Sequence, residues 1–246
     1  MTELTKAEQK RLAREEELLD LAIDILAEQG LNSLTLEKLT ARSPYSKGTI
    51  YNHFCSKEDC VSALCCRAMS SMLALFALAF RFEGELREQA LALHFAHQLY
   101  SQINPTLFQV VLVGKAPGVR ENTSDKRNAV LDELEERVNN ASDSMFRQAL
   151  EQGKISRPVT VETLTFASWA MSFGSLALAH SAADATAISR LESSSLLLNN
   201  ISLLLDGMGW QPLSYEWDYN ASWQRIAQHF QQLTGHQPTI NQPSEN

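Results

Sequence analysis

The stretch Leu34–Glu58 reads LTLEKLTARSPYSKGTIYNHFCSKE, and its spacing predicts a short helix, a tight turn, a second short helix and the start of a third. The second short helix, over 47–54, is too polar and too small to be a core element. It nevertheless carries two large apolar anchors, Ile50 and Phe54, four residues apart and so on one face. At about 100° per residue, Gly48 and Asn52 point away from that face, with Thr49 and His53 flanking on one side and Tyr51 on the other. A glycine inside a helix costs about 1 kcal/mol relative to alanine, and close backbone approach to a partner would offset that cost. Glycine, hydroxyl, amide and imidazole groups bracketed by Lys47 and Lys57 suit the major groove of DNA. The same geometry also occurs in ordinary helical bundles, where a short polar helix is only a solvated connector.

The order of residues separates these readings. Thr35-Leu-Glu, then Ser46-Lys-Gly-Thr-Ile-Tyr-Asn-His-Phe, then Ser56-Lys-Glu resembles the DNA-binding domain of the tetracycline-repressor (TetR) family over roughly residues 14–66. That resemblance implies a glycine-ended first helix, a threonine-capped second helix, a Ser-Lys-Gly-Thr recognition helix and a Phe-x-Ser-Lys-Glu junction into a fourth. The chain departs from the family in the turn: Arg42-Ser-Pro-Tyr45 stands where Ala-Gly-Val is usual. Proline pushes Ser43 out of helical dihedrals and fixes its own φ, so the helix still ends there.

Composition bounds the rest. With 246 residues, net charge −8 and a sequence pI of about 5.3, the chain can bury a sizeable core but is acidic as a whole. Locally the sign reverses: 31–57 holds Lys38, Arg42, Lys47 and Lys57 against Glu37, a balance of +3, leaving −11 on the remainder. A basic module on an acidic body fits operator binding with little non-specific affinity. The start, MTELTKAEQKRLAREEELL, lacks the apolar core of a secretory signal. Thr163–Ala183 runs 21 residues without a formal charge. Its serines, threonines and His180 argue for a buried interface helix rather than a membrane span. A cytoplasmic protein without a membrane partner is expected.

Along the chain, the pattern predicts an all-α protein. The first helix is expected over about 13–29, with Leu18, Leu21, Ala22, Ile25 and Leu26 buried and Gly30 as its stop. Residues 1–14 read as an arm or a frayed helix start. Thr35, Ser46 and Ser56 are placed to cap successive helices, the last in a Ser-x-x-Asp59 box opening a helix to about Phe80. Further helices are expected over 85–103, 105–113, 124–152, 160–183 and 187–208, with a short one closing the Trp210–Gly235 segment. Residues 236–246 read as a tail. No internal repeat is present.

Other side chains carry weaker signals. Cys55, Cys60, Cys65 and Cys66 do not match a paired-CxxC zinc site and read as small buried apolar groups in a reducing compartment, a thiol sensor being the alternative. His94 and His97, three apart, could share a metal, but no carboxylate or thiol lies near in sequence. The carboxylates of Asp132–Glu136 read as a solvated face. No catalytic motif, metal site or cofactor loop emerges.

The resemblance implies three segments: a helix-turn-helix DNA-binding domain with its N-terminal arm over 1–56, a helical effector-binding and dimerisation domain over 57–235, and the tail. It implies a homodimeric repressor binding a palindromic double-stranded operator and released by a small amphipathic or aromatic effector. Tyr51, Lys57 and His53 would hold phosphates, and Lys47, Thr49 and Asn52 would meet base edges over Gly48. Helices 160–183 and 187–208 would pair into the dimer interface. An effector cavity would be lined by Met72, Phe76, His94, His97, Tyr100, Phe108, Met145, Trp169 and Phe173. The rival readings are a protein-interaction scaffold with a vestigial DNA-binding domain, and an all-helical enzyme using the His94/His97 pair.

Overall fold

The computed structural model describes residues 5–191 and 195–236, and every regular element among them is helical. The chain divides into two compact units: residues up to Ser70 with Asn104–Glu135, and Ser71–Ile103 with Glu136 onward. The boundary expected at 56/57 therefore falls inside the first unit.

That unit starts with α1, Lys6–Gln29, which begins well before the expected residue 13. Thr5 explains the early start. Its hydroxyl accepts from the Glu8 amide at 3.3 Å while the Glu8 carboxylate takes the Thr5 amide at 2.8 Å, a complete capping box. Leu18, Leu19, Ala22, Ile25 and Leu26 form the buried stripe, Leu19 taking the place expected of Leu21. Gly30 ends the helix at a φ of +89°, a value that glycine adopts without strain.

Helix α2, Leu36–Arg42, is capped by Thr35, and α3, Lys47–His53, by Ser46. Between them Ser43 is extended, at φ −91° and ψ 155°, as the following proline requires. Its hydroxyl accepts from the Tyr45 amide at 3.2 Å. No described non-glycine residue has a positive φ, so the corner turns without the glycine usual in that position.

Helix α4, Lys57–Ala79, opens with Ser56 accepting from the Asp59 amide at 2.9 Å. The reciprocal bond runs one residue earlier than a capping box would have it, from the Cys55 amide to Asp59 at 3.2 Å. Helix α6, Pro105–Val113, a 3-10 turn at Arg120–Asn122 and the first turns of α7, Asp125–Glu151, complete the unit. An added Cβ at Gly114 would lie 2.3 Å from the Cys65 sulfur, so a glycine is needed where α6 ends against α4. Cys60, Cys65 and Cys66 are buried; burial pushes the first two thiols up to about 12 and the third to about 11. Burial and the Asp59 carboxylate raise Cys55 as well. Raised thiols are the opposite of what a thiolate sensor needs.

The second unit is organised on α5, Leu86–Ile103, buried on nearly every side from Leu86 to Ser101. Helix α8, Val161–Ser181, and α11, Tyr219–Thr234, pack on it, and α10, Leu196–Gly207, packs on α8. Phe95 meets Trp223 and Phe230 with ring centroids 5.1 and 5.3 Å apart. Arg87 is fully buried, and both of its terminal nitrogens are hydrogen-bonded while Nε is not. It donates to the Pro212 carbonyl at 2.8 Å and Asp206 at 2.7 Å, and its guanidinium lies 4.5 Å from the Tyr219 ring centroid. The single helix expected over 187–208 is instead α9, Thr186–Ser189, and then α10. Serine competes for backbone hydrogen bonds, and Ser195 stands at the start of α10. The expected short terminal helix is 16 residues long, begun by Asp218, whose carboxylate accepts from the amides of Asn220 and Ala221. The expected tail lies, beyond His236, outside the described residues. Among the described helices only α4 is long and apolar enough to span a membrane by length and composition, and half of that window is buried in the protein.

The contact at Gly114 is open to a direct test. Gly114→Ala should lower the stability of the chain by about 2 kcal/mol through overpacking. Combining it with Cys65→Ala should recover at least about 1 kcal/mol of coupling in a urea-unfolding double-mutant cycle. Strict additivity would show that the two groups do not meet.

Candidate nucleic-acid interface

Helix α3 is held by its two anchors and by its cap. Ile50 and Phe54 are fully buried, at positions one turn apart, so they fix which side of the helix is left for solvent. Ser46 accepts from the Thr49 amide at 3.3 Å, and the two hydroxyls lie 3.0 Å apart. Lys47, Gly48, Tyr51 and Asn52 are exposed and Thr49 is half-buried, so the structure brings these five expected residues onto one outward surface. The Lys47 ammonium lies 5.4 Å from the Tyr51 ring centroid, and the Tyr51 hydroxyl reaches Glu37 at 3.4 Å. Lys57 is exposed at the first turn of α4 and lies 3.7 Å from Glu58.

Gly48 has no reason to be glycine within the chain. Its φ is ordinary for a helix, and an added Cβ would meet nothing nearer than Ser46 Oγ at 3.9 Å.

His53 does not stand where sequence placed it. Its ring is buried, with Nδ1 3.2 Å from Glu15 of α1, so it cannot reach a phosphate. The approximate angular placement set it at the edge of the exposed face, and packing turned it inward.

Around it lies a polar cluster that the sequence did not announce. Arg127, at the start of α7, donates to Glu15 at 2.6 Å and to the His53 carbonyl at 3.5 Å, and its guanidinium lies 5.7 Å from the Phe54 ring centroid. Asp59 accepts from both the amide and the hydroxyl of Ser124, at 3.2 and 2.9 Å. Ser62 and Thr123 hydroxyls lie 2.8 Å apart. Burial works to raise the Glu15 carboxyl, but hydrogen bonding and charge from Arg127, with His53 adding to both, hold it below the usual range. The only sequence cue was Ser56-x-x-Asp59, read as a local cap; Arg127 lies some seventy residues on, in an amphipathic helix, with no local signal.

The residues expected to line an effector cavity are mostly interior. Phe76, His97, Tyr100 and Met145 are buried and Met72 is half-buried in the second unit, whereas Phe108 is buried in the first. Four of them meet across α5 and α8. Phe173 lies 6.2 Å from His97 and 5.6 Å from Trp169, centroid to centroid, while His94 and His97 reach the hydroxyls of Ser168 and Ser172, each at 3.1 Å. Serine hydroxyls thus face both imidazoles; among the described residues no three His, Cys, Asp or Glu side chains cluster in reach of one ion. A separate open groove of about 390 Å³ runs beside α10, lined by Leu198, Ser202, Leu203, Ser214, Trp217 and Tyr219 among others, and contains none of the expected nine.

The tight corner and the capped, apolar-anchored polar helix after it form a helix-turn-helix, the arrangement on which a large class of DNA-binding proteins is built. Residues 18–64 match the family described as bacterial regulatory proteins, tetR family. No curated protein matches the sequence. Among solved structures, the TetR-family transcriptional regulator PfmR from Thermus thermophilus is 20% identical, with a TM-score of 0.59 covering 77% of this chain and 97% of that one. A bacterial regulatory protein of the tetR family from Rhodococcus is 16% identical, with a TM-score of 0.62 covering 84% and 99%. The ketosteroid transcriptional regulator KstR2 of Mycobacterium tuberculosis is 18% identical, with a TM-score of 0.58 covering 79% and 94%. Residues 18–64 thus form a domain of the tetR family of bacterial regulatory proteins, and the chain has the fold of a TetR-family transcriptional regulator. The family's members regulate transcription and are not enzymes.

Two interior imidazoles, His97 buried and His94 half-buried, set a pH dependence. Burial holds His94 down at about 3, with His97 adding to it, and His97 at about 4. An unfolded chain protonates both near pH 6.5. Stability is therefore lost as pH falls below about 6.5, by roughly 2 kcal/mol per imidazole at pH 5. Urea unfolding at pH 7.5 and 5.0 should show this loss, and His97→Asn should remove about half of it. Equal stability at the two pH values would contradict neutral buried imidazoles.

Proposed function

We propose that the chain is a homodimeric, effector-responsive transcriptional repressor. Residues 1–56 read DNA, and 57–235 bind effector and pair the subunits. The observation that carries the DNA half is Gly48. It is an exposed glycine in a capped and anchored helix, costing about 1 kcal/mol with nothing inside the chain to offset it. A duplex surface approaching the backbone supplies what is missing. Lys47, Thr49 and Asn52 then stand nearest base edges, and Tyr51 and Lys57 hold phosphates. Two copies related by a two-fold axis would place two such helices in successive major grooves, centres about 34–36 Å apart, on a near-palindrome. Such a role places the protein in the cytoplasm, with the DNA.

Pairing is supported by α8 and α10. Leu203 of α10 is 72% exposed; on α8, which has no Lys, Arg, Asp or Glu after Glu162, Phe166 is 65% exposed and Trp169, Met171 and Leu178 are also exposed. Apolar surface of this kind is covered in assemblies. The effector is taken as a small amphipathic or aromatic molecule because imidazole, hydroxyl and aromatic groups line the α5–α8 contact. It acts as a population shift, binding the DNA-released dimer more tightly than the DNA-bound one.

Gly48→Ala should raise the unfolding free energy by about 0.5–1 kcal/mol. It should also weaken binding to the fragment upstream of the protein's own gene by about tenfold or more, read by gel shift. Tyr51→Ala with Lys57→Ala should weaken the same complex. Unchanged binding in both variants would remove the assignment and leave the scaffold reading. Phe166→Asp with Leu203→Asp should halve the mass seen by sedimentation, to that of the 27.5 kDa chain; a parent that already sediments at that mass would refute pairing.

A further inference from the structure

Helix α1 is longer than its packing requires. Its first fully buried residue is Leu18, yet the helix begins at Lys6, and nothing from Thr5 to Ala13 is buried. A polar helical extension is marginal in water on its own; here the Thr5–Glu8 capping box secures its start.

The extension is basic and uncompensated. Lys6, Lys10 and Arg14 are spaced by four, which aligns them on one side over about 12 Å of helix, with Arg11 beside them. Most of the acidic residues further along α1 are drawn off by other partners, Asp24 excepted. Glu15 pairs with Arg127 and His53, Glu16 and Asp20 with Arg67, and Glu28 with Arg42, while Glu17 accepts from the Tyr45 hydroxyl. Glu8 is turned back onto Thr5. Lys6, Lys10 and Arg11 make no ion pair among the described residues, whereas Glu15, Glu16, Asp20 and Glu28 of the same helix do.

The stripe also has a direction. The Arg14 guanidinium lies over the Tyr45 ring, 5.1 Å from its centroid, and Tyr45 immediately precedes Ser46, the cap of α3. The basic face of α1 therefore ends beside the first turn of the helix that carries Lys47 and Gly48.

We propose that the N-terminal extension of α1 is a second nucleic-acid contact, in which Lys6, Lys10 and Arg11 engage backbone phosphates flanking the segment read by α3. The contact is electrostatic and blind to sequence, and it acts as a rigid rod rather than a loose arm. It rests on the reading of α3 as the groove-facing helix. Each phosphate contact on a duplex contributes about 0.9 to the slope of log affinity against log salt.

The test uses the full chain, the fragment upstream of its gene and a mixed-sequence duplex of the same length, with affinities measured by fluorescence anisotropy across a salt series. Lys6→Ala with Lys10→Ala, which removes two lysines from each of two subunits, should reduce the salt slope by about 3.6 on both duplexes and leave the ratio of the two affinities unchanged. Lys6→Gln with Lys10→Gln, which keeps long side chains, should do the same. A slope equal to the parent's in both variants overturns the proposal. If Lys47→Ala with Lys57→Ala still lowers the slope in that case, the reading of α3 survives. If neither pair moves it, or no duplex is bound at low salt, both readings fall.

Discussion

The seating of Ile50 and Phe54 in the interior is the constraint on which the N-terminal unit depends. Helix α3 has only seven residues, too few to be stable alone, and it exists because its apolar edge is buried and its first turn is capped. Once those two side chains are committed, the opposite edge has no choice but to face outward. Thr35 and Ser46 supply the caps, and Pro44 stops α2, so local chemistry and burial agree at every step of this short segment.

Beside Phe54 the same region contains a partly buried ionic cluster. Arg127 is shared between Glu15 and Asp59, and it lies against the Phe54 ring. Buried pairs are weak evidence for net stability, but removing one partner leaves an uncompensated charge. The cluster therefore acts as a specificity device: it ties α1, the α3–α4 junction and the start of α7 into one arrangement. In the second unit Arg87 has the analogous place. Its guanidinium serves Asp206 and the carbonyl of Pro212, so the chain leaving α10 is fixed by a residue at the start of α5.

How much of this was legible follows from range. Caps at Thr35, Ser46 and Ser56, the stop at Gly30 and the five helices from α4 to α8 were written in local residue order and periodicity, and these could be read. His53 could not, because its orientation depends on Glu15, thirty-eight residues earlier. The early start of α1 was missed because a polar segment has no apolar period, although Thr5-x-x-Glu8 was there to be noticed. The break before α10 was hidden by a run of leucines that continues the apolar pattern past the serines. The effector residues were the least legible: an aromatic or histidine on a buried helix carries the same sequence signal whether it packs or binds.

The corner at Ser43-Pro44 has a mechanical consequence. A glycine hinge there would leave the angle between α2 and α3 soft, whereas a proline ring and an extended serine fastened to the Tyr45 amide leave little torsional play. Helices α2 and α3 then travel as a single piece. Whatever repositions the groove-facing surface must rotate that piece bodily, because bending at the elbow is not open to it.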